Sequence, residues 1–226
     1  MSKQFSSKYF KNNYAQAGGY ESLEEEVMER TCFVIDFFLK NLDKKSKILC
    51  VGSAFGFEVN GLKQRGFDSV WGVDISKDAI REAKDRYPSL RNKFLVGNAE
   101  KLNIKKKFDL ILAFDVIEHL SSPLDALISW KSHLKNDGKI LIITPNPCGM
   151  NFLFKFLKLF PKSIQNILDN DLTHKSILPD YKWKQFFKKS GLKIEKPKRF
   201  LSLTKNKRIL NFLPIKVIQV YLISKD

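Results

Sequence analysis

Short apolar runs alternate with helical stretches through the middle of this sequence of 226 residues. Most runs are apolar along nearly their whole length rather than at every second position, which is typical of strands buried on both faces. The predicted strands are Lys47–Gly52, Val70–Asp74, Phe94–Val96, Phe108–Phe114 and Lys139–Thr144. Buried strands separated by helices indicate a parallel sheet covered on both sides. The pattern therefore predicts an α/β fold.

Capping and chain-breaking residues set the limits of the predicted helices. Ser122 is a good cap before Pro123, a favoured first helical position, and Gly191 is a typical stop. The predicted helices are Glu21–Asn41, Val59–Gly66, Lys77–Tyr87, Asp180–Ser190 and one that begins at Pro123 and stops at Asn136-Asp137-Gly138. Two closing strands, Leu192–Glu195 and Ile215–Ile223, are predicted to follow.

The sequence predicts one domain over residues 1–226, because no internal repeat or low-complexity linker divides it. A hydrophobic fraction of 43% is enough for a real core and excludes wholesale disorder. Within the domain the expected parts are a helical lead, a cofactor-binding core, a lid or insertion, and a closing helix with strands, at residues 1–44, 45–147, 148–178 and 179–226.

A turn rich in small residues follows the first strand of the core. Its sequence is Gly52-Ser53-Ala54-Phe55-Gly56, and Asp74 ends the next strand, 22 residues after Gly52. Glycines let the backbone approach a nucleoside, and an acid about 20 residues further on bonds the ribose hydroxyls. Phe57 is too large for the last small position of a dinucleotide fingerprint. The spacing therefore favours an adenosine site without a pyrophosphate.

Four stretches together resemble the class I S-adenosylmethionine-dependent methyltransferases over about residues 45–145. They read KILCVGSAFGFEV, VWGVDIS, LVGNAEKL and FDLILAFDVIEHL, the last followed by GKILIITPN. The resemblance implies a Rossmann-like, seven-stranded, mostly parallel sheet whose last strand is antiparallel. It also implies S-adenosylmethionine as the cofactor.

The resemblance further implies a set of cofactor-binding residues. These are Gly52, Ser53, Ala54, Gly56, Asp74, Ile75, Asn98, Ala99, Phe114 and Asp115. Three positions depart from the family pattern. Cys50 stands where an acid usually helps to hold the methionine end, Ala54 replaces a glycine, and Asn98 replaces a common Asp. Asn98 can still accept a hydrogen bond from the adenine amine, and Ala54 is tolerated if its φ is negative.

Methyl transfer to a hydroxyl benefits from a general base, and two histidines are candidates. His119 follows the fourth strand of the core, and His174 lies in an Asp-x-Thr-His stretch like one that the family often places at its pocket. Each is a base or substrate contact, or else a structural histidine. No metal site is predicted, because Glu118, His119 and His174 are too few and too scattered as ligands.

Basic charge is concentrated in the last third of the chain. The formal net charge is +16, and residues 151–226 hold 17 basic and 5 acidic side chains. If Phe152–Phe160 is helical, Lys155, Lys158 and Lys162 share one face, so 152–162 is a lid over the pocket or contacts an anionic membrane surface. Plain compositional drift is the third interpretation. The excess is mostly lysine, which argues against nucleic acid, since phosphate clamping and base readout favour arginine.

The favoured function is a methyltransferase acting on a hydroxyl of a small molecule, a sugar or a lipid-linked acceptor. The position of residues 152–162 resembles that of the membrane-contacting segment in ubiquinone-biosynthesis O-methyltransferases, which makes a lipid-tailed quinone precursor one hypothesis. Two alternatives remain open, a non-catalytic binding module and a nucleic-acid methyltransferase. Three widely spaced cysteines and no apolar leader or spanning stretch fit a reducing cytoplasm, with or without peripheral membrane contact. The oligomeric state is not predicted.

Overall fold

A computed structural model describes residues 20–147, 175–200 and 218–226. They form one seven-stranded sheet with the order β3-β2-β1-β4-β5-β7-β6. The strands are β1 (Ile48–Val51), β2 (Val70–Asp74), β3 (Phe94–Val96), β4 (Phe108–Phe114), β5 (Leu134–Pro145), β6 (Leu192–Phe200) and β7 (Ile218–Lys225). The helices are α1 (Tyr20–Phe38), α2 (Phe57–Gln64), α3 (Lys77–Arg86), α4 (Pro123–Ser132) and α5 (Asp180–Lys189).

Strand pairing confirms the predicted fold class. β1 pairs in parallel with β2 and β4, and the parallel pairing continues to β3 on one side and β5 on the other. β7 runs antiparallel to both β5 and β6. The result is a mostly parallel sheet with an antiparallel last strand, as the resemblance implied.

Helices bury both faces of the sheet, as the apolar strands require. All four residues of β1 are buried, with Ile48 and Cys50 in one core cluster and Leu49 and Val51 in the other. The first cluster takes in residues of α1, α2 and α3, including Val34 and Leu62. The second takes in Trp130 of α4 and Trp183 of α5. Because successive strand residues point to opposite faces, a continuous apolar run contributes side chains to the core on each face of the sheet.

The end of α4 corrects one prediction. The helix ends at Ser132, and β5 has already begun at Leu134, so Asn136-Asp137-Gly138 does not stop the helix. These residues form an irregular stretch in which the pairing shifts between Phe108 and Leu110 of β4. A side chain on Gly138 would approach the Phe108 carbonyl oxygen to 2.8 Å. The glycine therefore allows a close strand approach rather than ending a helix.

Several predicted features lie outside the described residues. They include the basic segment 152–162, His174, most of the 148–178 insertion and the first three residues of the predicted last strand. Among the described helices, none combines the length and the apolar character needed to cross a bilayer.

Candidate active site

A cavity of about 370 Å³ opens at the carboxyl ends of β1, β2, β3 and β4, and α1 lies along one side of it. In open parallel sheets this edge is where ligands bind. Nine of the ten residues expected to bind the cofactor line this cavity, and so does His119. The nine are Gly52, Ser53, Ala54, Asp74, Ile75, Asn98, Ala99, Phe114 and Asp115. Gly56 is outside the lining.

Asp74 fastens the glycine-rich turn to the end of β2. Its carboxylate accepts hydrogen bonds from the backbone N–H of Ala54 at 2.9 Å and of Ser76 at 2.8 Å. Burial raises the pKa of Asp74, and the backbone donors partly oppose that effect. A carboxylate offers about four acceptor positions, so these backbone bonds leave capacity for a ligand's hydroxyl group.

Glycine is required twice in the turn, for different reasons. Gly52 has φ +69°, and a Cβ there would lie 2.3 Å from Val116, so the turn passes directly against the segment after β4. Gly56 has φ +82° and starts α2, and a Cβ there would lie 2.6 Å from the Phe94 ring. Gly56 therefore permits the packing of the turn on β3 and contributes nothing to the cavity wall.

Ala54 departs from the conformation expected of it. Its φ is +42°, in the left-handed region, whereas a negative φ was the condition for tolerating alanine here. The hydrogen bond from its N–H to Asp74 holds the residue in place. An L-residue in this region is destabilised by roughly 1–2 kcal/mol relative to ordinary conformations, so the turn stores a local strain.

Asn98 lies in a tight turn just after β3. Its side-chain oxygen accepts a hydrogen bond from the Glu100 N–H at 2.9 Å, and its backbone carbonyl accepts one from Lys101 N–H at 3.1 Å. The side-chain oxygen keeps one lone pair, and the NH₂ group keeps its donors, for a ligand. The backbone carbonyl of Ala99 beside it accepts a hydrogen bond from the indole N–H of Trp130 at 2.8 Å, which ties the turn to α4.

A charged cluster at the other end of the cavity was not found from the sequence. Arg30 of α1 donates to the Asp115 carboxylate at 2.5 Å, lies 3.9 Å from the Glu58 carboxylate, and stacks over the Phe114 ring at 5.7 Å. Its Nε is buried and has no hydrogen-bond partner among the described residues. The local signal was that Arg30 is the one basic residue in α1.

Glu58 is the second residue of α2 and lines the cavity next to this arginine. Burial raises its pKa to about 8, with Asp115 and Asp74 adding to the rise and Arg30 opposing it. Cys50, at the end of β1, is 1% exposed, and burial raises the pKa of its thiol well above the usual value. Cys50 therefore gives the end of β1 no charge at neutral pH. The carboxyl group that lies near this strand end is the side chain of Glu58.

His119 ends a short 3₁₀ turn, Ile117–His119, that follows β4. The turn is anchored by Glu118, which is fully buried and accepts a hydrogen bond from the Thr144 hydroxyl at 3.2 Å. Burial raises the pKa of Glu118 well above its usual value, with the Asp115 charge adding to the rise. Its backbone carbonyl accepts from the N–H groups of Lys175 and Ser176. Glu118 thus holds His119 and Lys175 at the same cavity.

The sequence is similar to those of known methyltransferases. The chain is 33% identical over 127 residues to a ubiquinone biosynthesis O-methyltransferase of Pelagibacter ubique, a match covering 53% of this chain and 51% of that protein. It is 29% identical over 128 residues to the mitochondrial ubiquinone biosynthesis O-methyltransferase of Schizosaccharomyces pombe, covering 54% and 42%. The chain spans about half the length of the curated relatives it matches.

Solved structures agree on the fold. Magnesium protoporphyrin IX methyltransferase from Synechocystis, solved with bound SAH, superposes with a TM-score of 0.68 at 14% identity, over 100% of this chain and 98% of that one. An S-adenosylmethionine-dependent methyltransferase from Clostridium acetobutylicum gives 0.64 at 16% identity, over 87% and 91%. A family described as "Methyltransferase domain" matches residues 23–196. Because this match spans most of the chain, the protein belongs to the class I S-adenosylmethionine-dependent methyltransferase family.

Proposed function

We propose that this protein transfers the methyl group of S-adenosylmethionine to a hydroxyl of a small or lipid-linked acceptor. The observation that carries the proposal is the position of His119, which lines the same cavity as Asp74 and the glycine-rich turn. The names of the curated relatives, which are O-methyltransferases of ubiquinone biosynthesis, support a hydroxyl acceptor.

The cavity fits an extended adenosylmethionine. It runs from the end of β3 past β2 and β1 to the end of β4, which is three strand spacings or about 14 Å. At the β2 and β3 end, Asp74 would bind the ribose hydroxyls, and Ile75, Asn98 and Ala99 would contact the adenine. A purine edge can donate its amine to the Asn98 oxygen, and the apolar side chains give the ring a flat surface to contact.

At the β4 end, Arg30 is placed to bind the carboxylate of the methionine portion. Its buried Nε lacks a partner among the described residues, and an unpaired buried donor is costly unless a ligand supplies the acceptor. A guanidinium also binds a carboxylate through two parallel bonds. Sequence alone gave no role to Arg30, because its contact with the cavity arises only when α1 packs beside the strand ends.

When bound, the cofactor supplies a methyl group on a sulfonium, which an acceptor oxygen displaces as the carbon–sulfur bond breaks. His119 would take the proton that the acceptor hydroxyl loses, with a benefit of about 10²- to 10⁴-fold in rate. Glu118 holds the histidine turn in place through its bond with Thr144. Alignment of the two reactants is the protein's main remaining contribution. His174, outside the described residues, stays a second candidate for base or substrate contact.

A lipid-linked acceptor accounts best for the basic part of the chain. Lys175 lines the cavity and donates to the Ser121 hydroxyl at 3.0 Å, which places a cation beside the histidine turn. The sequence 152–162 lies in the preceding stretch and combines Phe and Leu with Lys155, Lys158 and Lys162, whose spacing would place them on one face if the segment were helical. We propose that this segment contacts an anionic membrane that presents the acceptor.

Methyl transfer from labelled S-adenosylmethionine tests the acceptor chemistry. The probes are a dihydroxybenzene with an alkyl tail, the same ring without the tail, and the ring with amino groups in place of the hydroxyls. We expect methylation of both hydroxylated rings, faster with the tailed one in the presence of anionic vesicles. His119→Ala should lower transfer by about 10²-fold or more while leaving cofactor binding intact. His133→Ala, at the distant end of α4, is the control.

The outcomes separate the alternatives. Transfer to the amine alone contradicts the hydroxyl proposal. Cofactor binding without transfer to any acceptor, including RNA, supports a non-catalytic binding module, and salt-sensitive transfer to RNA supports a nucleic-acid enzyme. Unchanged activity in His119→Ala removes the histidine from the mechanism.

A further inference from the structure

We propose that Glu58, at the start of α2, receives the ammonium group of the cofactor's methionine portion. The inference rests on the proposed function, since it concerns the amino-acid end of the same cavity. Glu58 of α2 would make the contact with the ammonium that the uncharged Cys50 of β1 cannot make.

Glu58 lies close to the glycine-rich turn in sequence. Glu58 follows Gly56 by two residues and lies in the first turn of α2, so the turn that approaches the cofactor also delivers this carboxyl group. Its side chain is only 13% exposed and lines the cavity. A mostly buried carboxyl group is costly when ionised unless a cation lies close to it.

Arg30, the cation near Glu58, is already paired with Asp115. Arg30 donates at 2.5 Å to Asp115 but lies 3.9 Å from Glu58, beyond hydrogen-bond range. The other groups that face Glu58 are Asp115, Asp74 and Cys50, and none of them is cationic. Within the described part of the chain, Glu58 therefore has a weak ion pair and no cation of its own, which is consistent with the rise of its pKa to about 8.

The charges of Arg30 and Glu58 are complementary to those of an α-amino acid. An α-amino acid carries an ammonium and a carboxylate on the same carbon, and Arg30 together with an ionised Glu58 would present the opposite charges, with their nearest side-chain atoms 3.9 Å apart. The carboxylate would meet the unpaired Nε of Arg30, and the ammonium would meet Glu58. Cys50 cannot replace Glu58, because burial raises the pKa of the Cys50 thiol and keeps it neutral.

Two ligands separate this role from a structural one. S-adenosylhomocysteine carries the amino-acid portion, whereas methylthioadenosine retains the adenosine and the sulfur but lacks that portion. In calorimetric titrations, Glu58→Gln should lower affinity for S-adenosylhomocysteine by about 10- to 100-fold, as expected for loss of a charged hydrogen bond. Its affinity for methylthioadenosine should stay within about twofold of the wild type. Glu82→Gln, on the exposed face of α3, should change neither.

Proton release gives a measurement on the unaltered protein. An ammonium that binds beside Glu58 ionises it, so S-adenosylhomocysteine should displace close to one proton at pH 7. Titrations in buffers of different ionisation enthalpy count that proton. Methylthioadenosine should displace none.

The results that overturn the inference are distinct from failure of the proposed function. Equal loss of affinity for both ligands in Glu58→Gln makes the residue structural, and unchanged affinity for S-adenosylhomocysteine removes it from the contact. Release of no proton by the wild type on binding S-adenosylhomocysteine also overturns it. If the wild type binds neither ligand, the proposed function fails and the inference falls with it.

Discussion

The two ends of the cavity are built in different ways. At the end proposed for the adenosine, Asp74 and Asn98 are fixed by backbone hydrogen bonds to residues within about twenty positions along the chain. At the amino-acid end, Arg30, Glu58 and Asp115 come from α1, α2 and the end of β4, and side-chain charges hold them together. The first end depends on local geometry and the second on tertiary packing, so the two should respond differently to mutation.

Removal of the Asp74 carboxylate should have the largest effect. Asp74→Ala loses the bond that holds Ala54 and, under the proposed function, the ribose contacts, so affinity for S-adenosylhomocysteine should fall by about 10²- to 10⁴-fold. Methylthioadenosine should lose as much, because it shares the adenosine. Calorimetry checks both, with Asp78→Ala on α3 as the control. Methylthioadenosine binding that survives Asp74→Ala would break the distinction between the two ends.

The pH dependence of stability should sharpen the contrast at the amino-acid end. Without cofactor, folded Glu58 keeps its proton up to about pH 8, whereas the unfolded chain releases it near 4.5. The folded state therefore binds more protons in that window, and stability falls as pH rises through it. The Glu58 contribution is fully present below pH 4.5 and lost by about pH 8. Its slope is at most about 1.4 kcal/mol per pH unit.

Urea unfolding of the wild type and Glu58→Gln at several pH values between 5 and 8 measures this slope. Burial also raises the pKa of Asp74 and Glu118, but those groups are present in both proteins and cancel in the difference. The wild type should lose stability relative to the variant as pH rises. Parallel curves would mean that Glu58 is not protonated in the fold.

The same contrast explains what the sequence could predict. The parallel sheet covered by helices, Asp74 and the small residues of the turn follow from apolar runs and fixed spacings, which local geometry imposes. Arg30 and Glu58 have no such spacing, because their proximity exists only after α1 and α2 pack at the strand ends. The Asn136-Asp137-Gly138 stretch has the composition of a helix stop, yet its pairing with β4 decides its structure. The φ of Ala54 likewise depends on a bond to a residue 20 positions away.

The smallest effect should come from Ala54, which lies between the two ends. Its φ of +42° suits glycine, so Ala54→Gly removes roughly 1–2 kcal/mol of strain. Glycine also loses up to about 1 kcal/mol through its greater freedom in the unfolded chain. The net gain should be about 0.5–1 kcal/mol, a rise in Tm of roughly 1–4 °C for a chain of this size. Ala83→Gly, at a fully buried position within the helix α3, should instead destabilise by about 1–2 kcal/mol, from helix propensity and the loss of a buried methyl group. A lower Tm for Ala54→Gly would show that the turn is not strained at this residue, and that the family's glycine is replaced here without a conformational cost.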